Sequence, residues 1–318
     1  MLKRIGKDQV RIGMFIEALE SAWLDTPFAG RRYRLECEDE AARLRNSNVC
    51  GVFINKSKGL DVSPAVAGRS EPDDPGRAVK VSSASGGRKI RILTAEKIKR
   101  TSVLLKSIFD DVSAGAAVTV ETVSPVIEEL MQSLDINPSI LISMTRMKTK
   151  DGATFLHCIA VSALMIRLAR HLKLDAGIVP ILGLGGLLHD IGKIGMPIEV
   201  LTKAGALTDA EMKLIRRHPA LGYQMLSRGK GMPDIVLDIC LHHHERLDGK
   251  GYPIGLRDGQ ISLHVRMAAI CDVYDALTSA RPYKKPWTSS EAVSWMLDAK
   301  GAFDRSLLHE FIAGVVTA

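Results

Sequence analysis

The chain is expected to be mainly α-helical: a helical bundle preceded by a small α/β domain and a flexible linker. Three observations predict this. From about Ile92 onward, apolar residues recur at helical spacing, with no convincing run of alternating strands. Residues 1 to about 62 instead hold short β-rich runs. Between them, residues 63–92 shift to Ser, Gly, Pro and charge, a composition that cannot bury enough apolar surface to order itself. A length of 318 residues suits two domains, the larger easily able to bury a core.

In order along the chain, Val10-Arg11-Ile12-Gly13-Met14-Phe15-Ile16 and Gly51-Val52-Phe53-Ile54 read as strands, with a short helix over Glu38–Ser47. Thr94–Ser113 interleaves Lys and Arg with Ile, Val, Leu and Phe, the pattern of an amphipathic helix. Ser124 before Pro125 reads as an N-cap with Pro at the first helical position. Phe155–Leu172 is apolar with Arg167 and Arg170 late, suiting a buried helix with cations near its C-terminus. Ile178–Leu188 is apolar throughout, and Thr208-Asp209-Ala210-Glu211 opens a further helix as a capping box.

Hydrophobic residues at 46% and charged residues at 25% are those of an ordinary globular protein. A formal charge of +7 favours an anionic partner, and nothing clusters like a DNA-binding arm, which argues against a nucleic-acid polymer. The five cysteines are scattered, without a C-x-x-C, and read as reduced, buried residues. The N-terminus lacks the apolar stretch of a secretory signal, and Ile178–Leu188 is about half of a ~20-residue membrane span. A cytoplasmic protein without a membrane span is the expectation.

All nine histidines fall between His157 and His309, so the chemistry belongs to the C-terminal part. His189 and Asp190 end the apolar helix at Leu188, with Lys193 four residues from His189 and hence on its face. Adjacent helical side chains diverge by about 100°, which suits clasping a metal between helices better than pairing with each other. Each alone also fits a satisfied core His, an exposed Asp or a helix-ending Lys. The triplet His242-His243-His244 changes the balance, because adjacent imidazoles on an apolar segment are costly unless they coordinate or hydrogen-bond. His242 is the one expected to face out. Asp272 and Asp275 share a face of another apolar helix, where Asp275 could instead meet backbone or Arg281.

A ligand set of His and Asp without Cys suits iron or manganese, with zinc, nickel or magnesium as further options, and argues against a structural zinc site. Two such metals bridged by a carboxylate would orient a hydroxide against phosphorus. The turn Asp248-Gly249-Lys250-Gly251-Tyr252-Pro253 and the run Arg281-Pro282-Tyr283-Lys284 each fit an ordinary loop. Bordering a two-metal site, Arg281 and Lys284 would clamp phosphate, and Tyr252 would stack on a base or touch phosphate.

The order His157, His189-Asp190-Ile191-Gly192-Lys193, His218-Pro219, His243-His244-Glu245-x-x-Asp248-Gly249-x-Gly251-Tyr252-Pro253, Asp272-x-x-Asp275 and Arg281-Pro282-Tyr283 resembles the HD-GYP branch of the HD phosphohydrolases, over roughly residues 93–318. Residues 1–62 are similar to a small domain of unknown function found ahead of such modules. The resemblance implies a phosphodiesterase acting on cyclic di-GMP, with linear pGpG and then GMP as products. Carried over by motif, His157, His189, Asp190, His218, His243, His244 and Asp272 would hold two metals per domain, with Asp190 bridging. Lys193 would stabilise the attacked phosphate or assist proton transfer; Tyr252, Arg281 and Lys284 would contact the dinucleotide. Some family members carry a Glu one turn before the first His, for a third metal. Here that position is Ala153, and Asp151 lies six residues from His157, so two metals and a main product of pGpG are expected. A receptor that binds cyclic di-GMP without cleaving it, and a phosphohydrolase of another nucleotide, are the rival readings. A second copy of the chain or a signalling protein is left open as partner.

Overall fold

The computed structural model describes residues 2–21, 33–45, 49–61, 83–137, 153–203, 205–280 and 286–316, and the chain divides into two units, Met1–Ile92 and Leu93–Ala318. In the first unit, β1 (Leu2–Ile5), β2 (Phe15–Ser21), β3 (Tyr33–Arg34) and β4 (Val49–Asn55) form an antiparallel sheet in the order β1-β4-β2-β3. Helix α1 (Glu38–Arg45) contributes Ala41 and Leu44 to a core with Ile5, Val10, Met14, Ile16, Leu35, Val52 and Ile54.

The strand expected over Val10–Ile16 begins only at Phe15. Gly13 adopts a φ of 86°, and its backbone bonds to Leu35 and Leu60 rather than to a continuous ladder. Val10 and Met14 are therefore buried from a turn.

Helix α2 runs Ser83–Ser113 and so includes the last residues of the segment expected as linker. Once the amphipathic stretch after Thr94 is helical, each further residue adds one hydrogen bond at little cost, which carries the helix back through Gly86 and Gly87. Residues 63–82 lie outside the described residues. Buried Thr94, Ile98, Thr101, Leu105, Phe109 and Val112 recur at three- and four-residue steps along α2.

In the second unit, α3 (Val120–Ile136) follows α2, and α4 (Ala153–His171) meets α2 where Phe109 and Phe155 pack edge to face with centroids 5.5 Å apart. The N-cap of α3 is Thr119, not Ser124, and Pro125 lies inside the helix. Thr119 donates its N–H to Thr122 Oγ1, an earlier start that satisfies the helix end, while Ser124 Oγ donates to the Val120 carbonyl.

Helix α5 (Ile178–Leu188) crosses α4 at glycines: a Cβ at Gly186 would lie 2.9 Å from Ser162 Cα. Ser162 Oγ donates to the Gly183 carbonyl at 2.7 Å across the same crossing. The stretch Ile178–Gly195 is apolar enough to cross a membrane by length and composition, but 67% of it is buried within the fold. Short helices α6 (Ile198–Leu201) and α7 (Asp209–Ile215) lead to α8 (His218–Leu226), α9 (Asp234–His242), α10 (Leu263–Thr278), α11 (Ser289–Asp298) and α12 (Arg305–Phe311). The capping box at Thr208 is present as read. Cys158, Cys240 and Cys271 are buried free thiols; Cys37, on the first unit, is exposed, contrary to expectation.

Candidate metal centre

Six backbone elements deliver the expected residues to one place. His157 lies one turn into α4; His189 caps the C-terminus of α5, and Asp190 starts the 3-10 turn Ile191–Gly195 that carries Lys193. His218 begins α8, His243 and His244 follow the last turn of α9, and Asp272 sits inside α10. The 3-10 turn can press against α8 because residue 192 is glycine: a Cβ there would fall 1.9 Å from the His218 carbonyl oxygen. That close approach fixes the distance between Asp190 and His218.

All seven residues expected to hold metal come together, in two groups of ligand atoms: Asp190, His218, His243 and His244, and His157, His189 and Asp272. Asp190 stands between them. Its Oδ1 lies 3.2 Å from His218 Nε2 and 3.7 Å from His243 Nε2, while its Oδ2 lies 3.4 Å from His189 Nε2 and 3.6 Å from His157 Nε2. Asp272 Oδ1 is 3.0 Å from His157 Nε2, and its Oδ2 is 3.8 Å from His244 Nδ1.

The outer ring nitrogens decide which way the lone pairs point. His189 Nδ1 donates to the Gly186 carbonyl at 2.8 Å, His218 Nδ1 to the Ile215 carbonyl at 2.8 Å, and His243 Nδ1 to the Cys240 carbonyl at 3.0 Å. His157 Nδ1 donates to Asp275 Oδ2 at 2.6 Å. Backbone carbonyls only accept, so His189, His218 and His243 carry their protons outside and present a bare Nε2 inward when neutral, while His157 has a carboxylate at each nitrogen, Asp275 Oδ2 at 2.6 Å and Asp272 Oδ1 at 3.0 Å. His218 and His243 then face each other Nε2 to Nε2 at 3.2 Å, and the fully buried His189 Nε2 has no hydrogen-bond partner. Converging lone pairs on a buried carboxylate are poorly satisfied by the protein alone and well satisfied by a cation. The donor set fits a divalent metal site.

Electrostatics keep the ligands in the required forms. Burial raises the Asp190 carboxyl, but the Lys193 ammonium and the His189 ring outweigh it and hold the group well below the usual range. Burial also raises Asp272, and its hydrogen bond with His157 reverses the sign. Burial and the neighbouring imidazoles push His243 well down and bring His244 to about 4, so both are neutral near neutral pH. Burial lowers His157, yet Asp272 and Asp275 raise it overall.

Lys193 departs from its expected geometry. The α-helix stops at Leu188, so the four-residue spacing to His189 no longer means a shared face; Nζ instead pairs with Asp190 Oδ2 at 2.5 Å. His242 is directed away from the ligand groups but is not exposed: its Nδ1 bonds Asp238 at 2.7 Å and its side chain is only 15% accessible. Tyr252 lies over His244 with centroids 4.7 Å apart and an interplanar angle of 30°. Arg281 and Lys284 lie outside the described residues.

Two residues gain roles that sequence reasoning missed. Asp275, left between backbone and Arg281, orients His157 and accepts a hydrogen bond from Ser279 Oγ at 2.9 Å. Its signal was the three-residue spacing from Asp272. Glu245 is buried and accepts backbone N–H bonds from Ile254, Gly255 and Leu256 at 2.7–3.1 Å, fastening the chain just after the Gly-Tyr-Pro turn. An acidic residue placed directly after consecutive histidines was its trace in the sequence.

Known proteins share both units. The HD domain family profile matches residues 128–307, and that of a domain of unknown function, DUF3391, matches residues 2–123. The chain is 43% identical over 323 aligned residues to the cyclic di-GMP phosphodiesterase PA4108 of Pseudomonas aeruginosa, covering 99% of this chain and 77% of that protein. It is 40% identical over 167 residues to the cyclic di-GMP phosphodiesterase response regulator RpfG of Xanthomonas campestris, covering 52% of this chain and 44% of that one. Bd1817, an HDG"Y"P protein from Bdellovibrio bacteriovorus, matches the fold with a TM-score of 0.56 at 16% identity, over 98% of both chains.

Proposed function

We propose, from the premise that this chain belongs to the HD-domain family in its HD-GYP branch with a DUF3391 domain ahead of it, that it is a metal-dependent phosphodiesterase hydrolysing cyclic di-GMP to linear pGpG. One observation carries the reading. Four buried imidazoles bond outward acceptors through Nδ1 and turn Nε2 toward the two oxygens of one carboxylate. We assign His157, His189 and Asp272 as the residues that would hold one metal, and His218, His243 and His244 as those that would hold a second, with Asp190 available to both. Iron or manganese suits this nitrogen and oxygen set. Divalent metal, when bound, supplies Lewis acidity and a water acidic enough to serve as nucleophile near neutral pH.

The chain's own residues do the rest. Asp190 stays ionised because Lys193 sits beside it. In turn, the Lys193 ammonium is held protonated within the site: burial lowers it, and Asp190 more than restores it. That ammonium neutralises charge developing on the attacked phosphate as a ribose 3′-oxygen leaves. Tyr252 stays protonated, since burial raises its phenol, and it offers an aromatic face and a hydroxyl at the edge of the ligand group. Arg281 and Lys284 are assigned to the dinucleotide on sequence position alone. At the start of α4, Ala153 offers no ligand atom one turn before His157, which supports two metals and pGpG as the main product.

The test is anaerobic purification, metal analysis, and incubation with cyclic di-GMP followed by chromatography. Two iron or manganese ions per chain with pGpG accumulating is the expected result. Tight binding without turnover under either metal would replace the enzyme with a receptor. GMP appearing as fast as pGpG would overturn the assignment of the main product.

A further inference from the structure

The junction between α7 and α8 carries two exposed arginines, Arg216 and Arg217, immediately before His218. Their backbone is fixed: Arg216 N–H donates to the Met212 carbonyl and Arg217 N–H to the Leu214 carbonyl, each at 3.0 Å. Arg216 therefore keeps a set register to the His218 ring. Its guanidinium lies 5.4 Å from the centroid of the Tyr252 ring, within cation–π range. The same ring stacks on His244 and meets His218 edge-on at 6.5 Å. One continuous stack thus runs from two residues of the ligand group to a cation in solvent.

Among the described residues, Arg216 has no carboxylate or carbonyl partner for its guanidinium. Two other arginines of this unit differ. Arg246 is held by Asp248 at 2.7 Å, and Arg266 by Asp304 at 2.9 Å. A guanidinium set against an aromatic face, with no acceptor among the described residues, is a pre-organised anion receptor. Lys193, paired with Asp190 inside the site, is assigned to the attacked phosphate and leaves the second one to another cation.

We propose that Arg216 is a substrate-binding residue that takes the second, uncleaved phosphate of a cyclic dinucleotide while the first is attacked at the metal centre. The proposal rests on the reading of the site as a cyclic dinucleotide phosphodiesterase. Such a substrate carries two phosphodiesters, and only one can occupy the buried ligand group. The other emerges at its edge, where the Tyr252 ring holds the free guanidinium. Arg216 binds ground state and transition state alike, so its loss acts on KM more than on kcat.

The experiment compares metal-loaded wild type with Arg216→Ala, Arg216→Lys and Arg217→Ala, using cyclic di-GMP and bis(p-nitrophenyl) phosphate, a diester with a single phosphate. Arg216→Ala should raise KM for cyclic di-GMP by about tenfold or more, the size of one lost charge-assisted contact. Its kcat should fall by less than KM rises, and KM for the single diester should move less. Arg216→Lys should recover part of the loss, since a point charge replaces the fork. Arg217→Ala removes the same charge one residue away and should leave KM for cyclic di-GMP unchanged.

An unchanged KM in Arg216→Ala, or an equal rise in Arg217→Ala, would overturn the proposal. If wild type cleaves the single diester and another cyclic dinucleotide but not cyclic di-GMP, the substrate reading falls alone. Arg216 is then judged by KM for the dinucleotide that is cleaved, an unchanged value overturning it. If no cyclic dinucleotide is cleaved, both fall.

Discussion

Asp190 separates two halves of the site that are built in different ways. On one side, His157 and Asp272 sit inside α4 and α10 and His189 caps the end of α5; His157 is backed by the Asp275 carboxylate and His189 by the Gly186 carbonyl. On the other, His218, His243 and His244 come from helix ends, and His218 and His243 are backed by backbone carbonyls. The electrostatic consequences are opposite. Burial lowers His157, but its two carboxylates raise it overall, whereas burial and crowding imidazoles lower His243 and His244. A carboxylate behind an imidazole makes it a stronger donor to metal. Charge behind a ligand thus enters the first half, at His157, whereas the outer partners of His218 and His243 in the second are backbone carbonyls.

Asp190 joins the halves, so its removal gives the largest effect. Asp190→Ala is expected to lose most metal from both halves and to reduce cyclic di-GMP turnover by about a thousandfold or more. Metal analysis showing one half still loaded would break the assignment of Asp190 as the shared ligand. Lys193 touches the same carboxylate without belonging to either ligand group. Lys193→Met should leave the metal content intact while kcat drops on the order of a hundredfold, as for other lost charge-stabilising donors. Full turnover in that variant would remove Lys193 from the mechanism.

Asp275 offers a test of one half alone. Asp275→Asn keeps the shape but removes the charge behind His157 and places Ser279 against an amide. Metal affinity should fall by about 10- to 100-fold in that half only, the usual size for an outer partner of a ligating histidine. A titration in which both metals weaken together would show that the halves are not independent.

Acid should act first on the second half. His244 titrates at about 4 in the fold against an ordinary 6.5, because burial disfavours its charged form. The unfolded chain then binds more protons between those values, so metal-free stability is lost as pH falls below 6.5 toward 4. His243 adds in the same direction. His157, raised in the fold, works oppositely: its stabilising contribution is full below 6.5 and disappears as pH rises through its folded value. With two groups lowered and one raised, the net expectation is a lower urea midpoint at pH 5 than at pH 8, His244 contributing on the order of 2–3 kcal/mol by pH 4. A midpoint that rises on acidification would place His157 in control instead.

Much of this was legible before the structure. Helical spacing marked α4 and α5, and their apolar faces placed His157 and His189 inside. Residue types marked the ligands. What could not be read was whatever depends on chain reversals between distant elements. Lys193 and His189 looked like one helical face because nothing in Leu188-His189-Asp190-Ile191 announces a switch from α-helix to a 3-10 turn. The reason for glycine at 192 exists only once His218 arrives from another helix. Pro125 misled for a different reason: a local cap rule placed the helix start there, while Thr119 capped it earlier. Asp275 was visible as a residue, but its partner lies 118 positions away.

The histidine triplet holds the smallest and most selective test. His243 and His244 join the ligand group, while His242, one residue before them, turns to Asp238. Asp238 in turn accepts from Ser262 Oγ at 2.6 Å, and Ser262 is the N-cap of α10, so His242 ties the end of α9 to the start of α10. Replacing it should loosen that tie without removing a ligand. His242→Ala is expected to keep the wild-type metal content and turnover and to cost about 1 kcal/mol of stability, the net worth of one hydrogen bond. Denaturant titration with parallel metal analysis reads both. Loss of metal in His242→Ala would mean that the triplet acts as a unit, and that the boundary between ligand and support falls one residue earlier than the geometry places it.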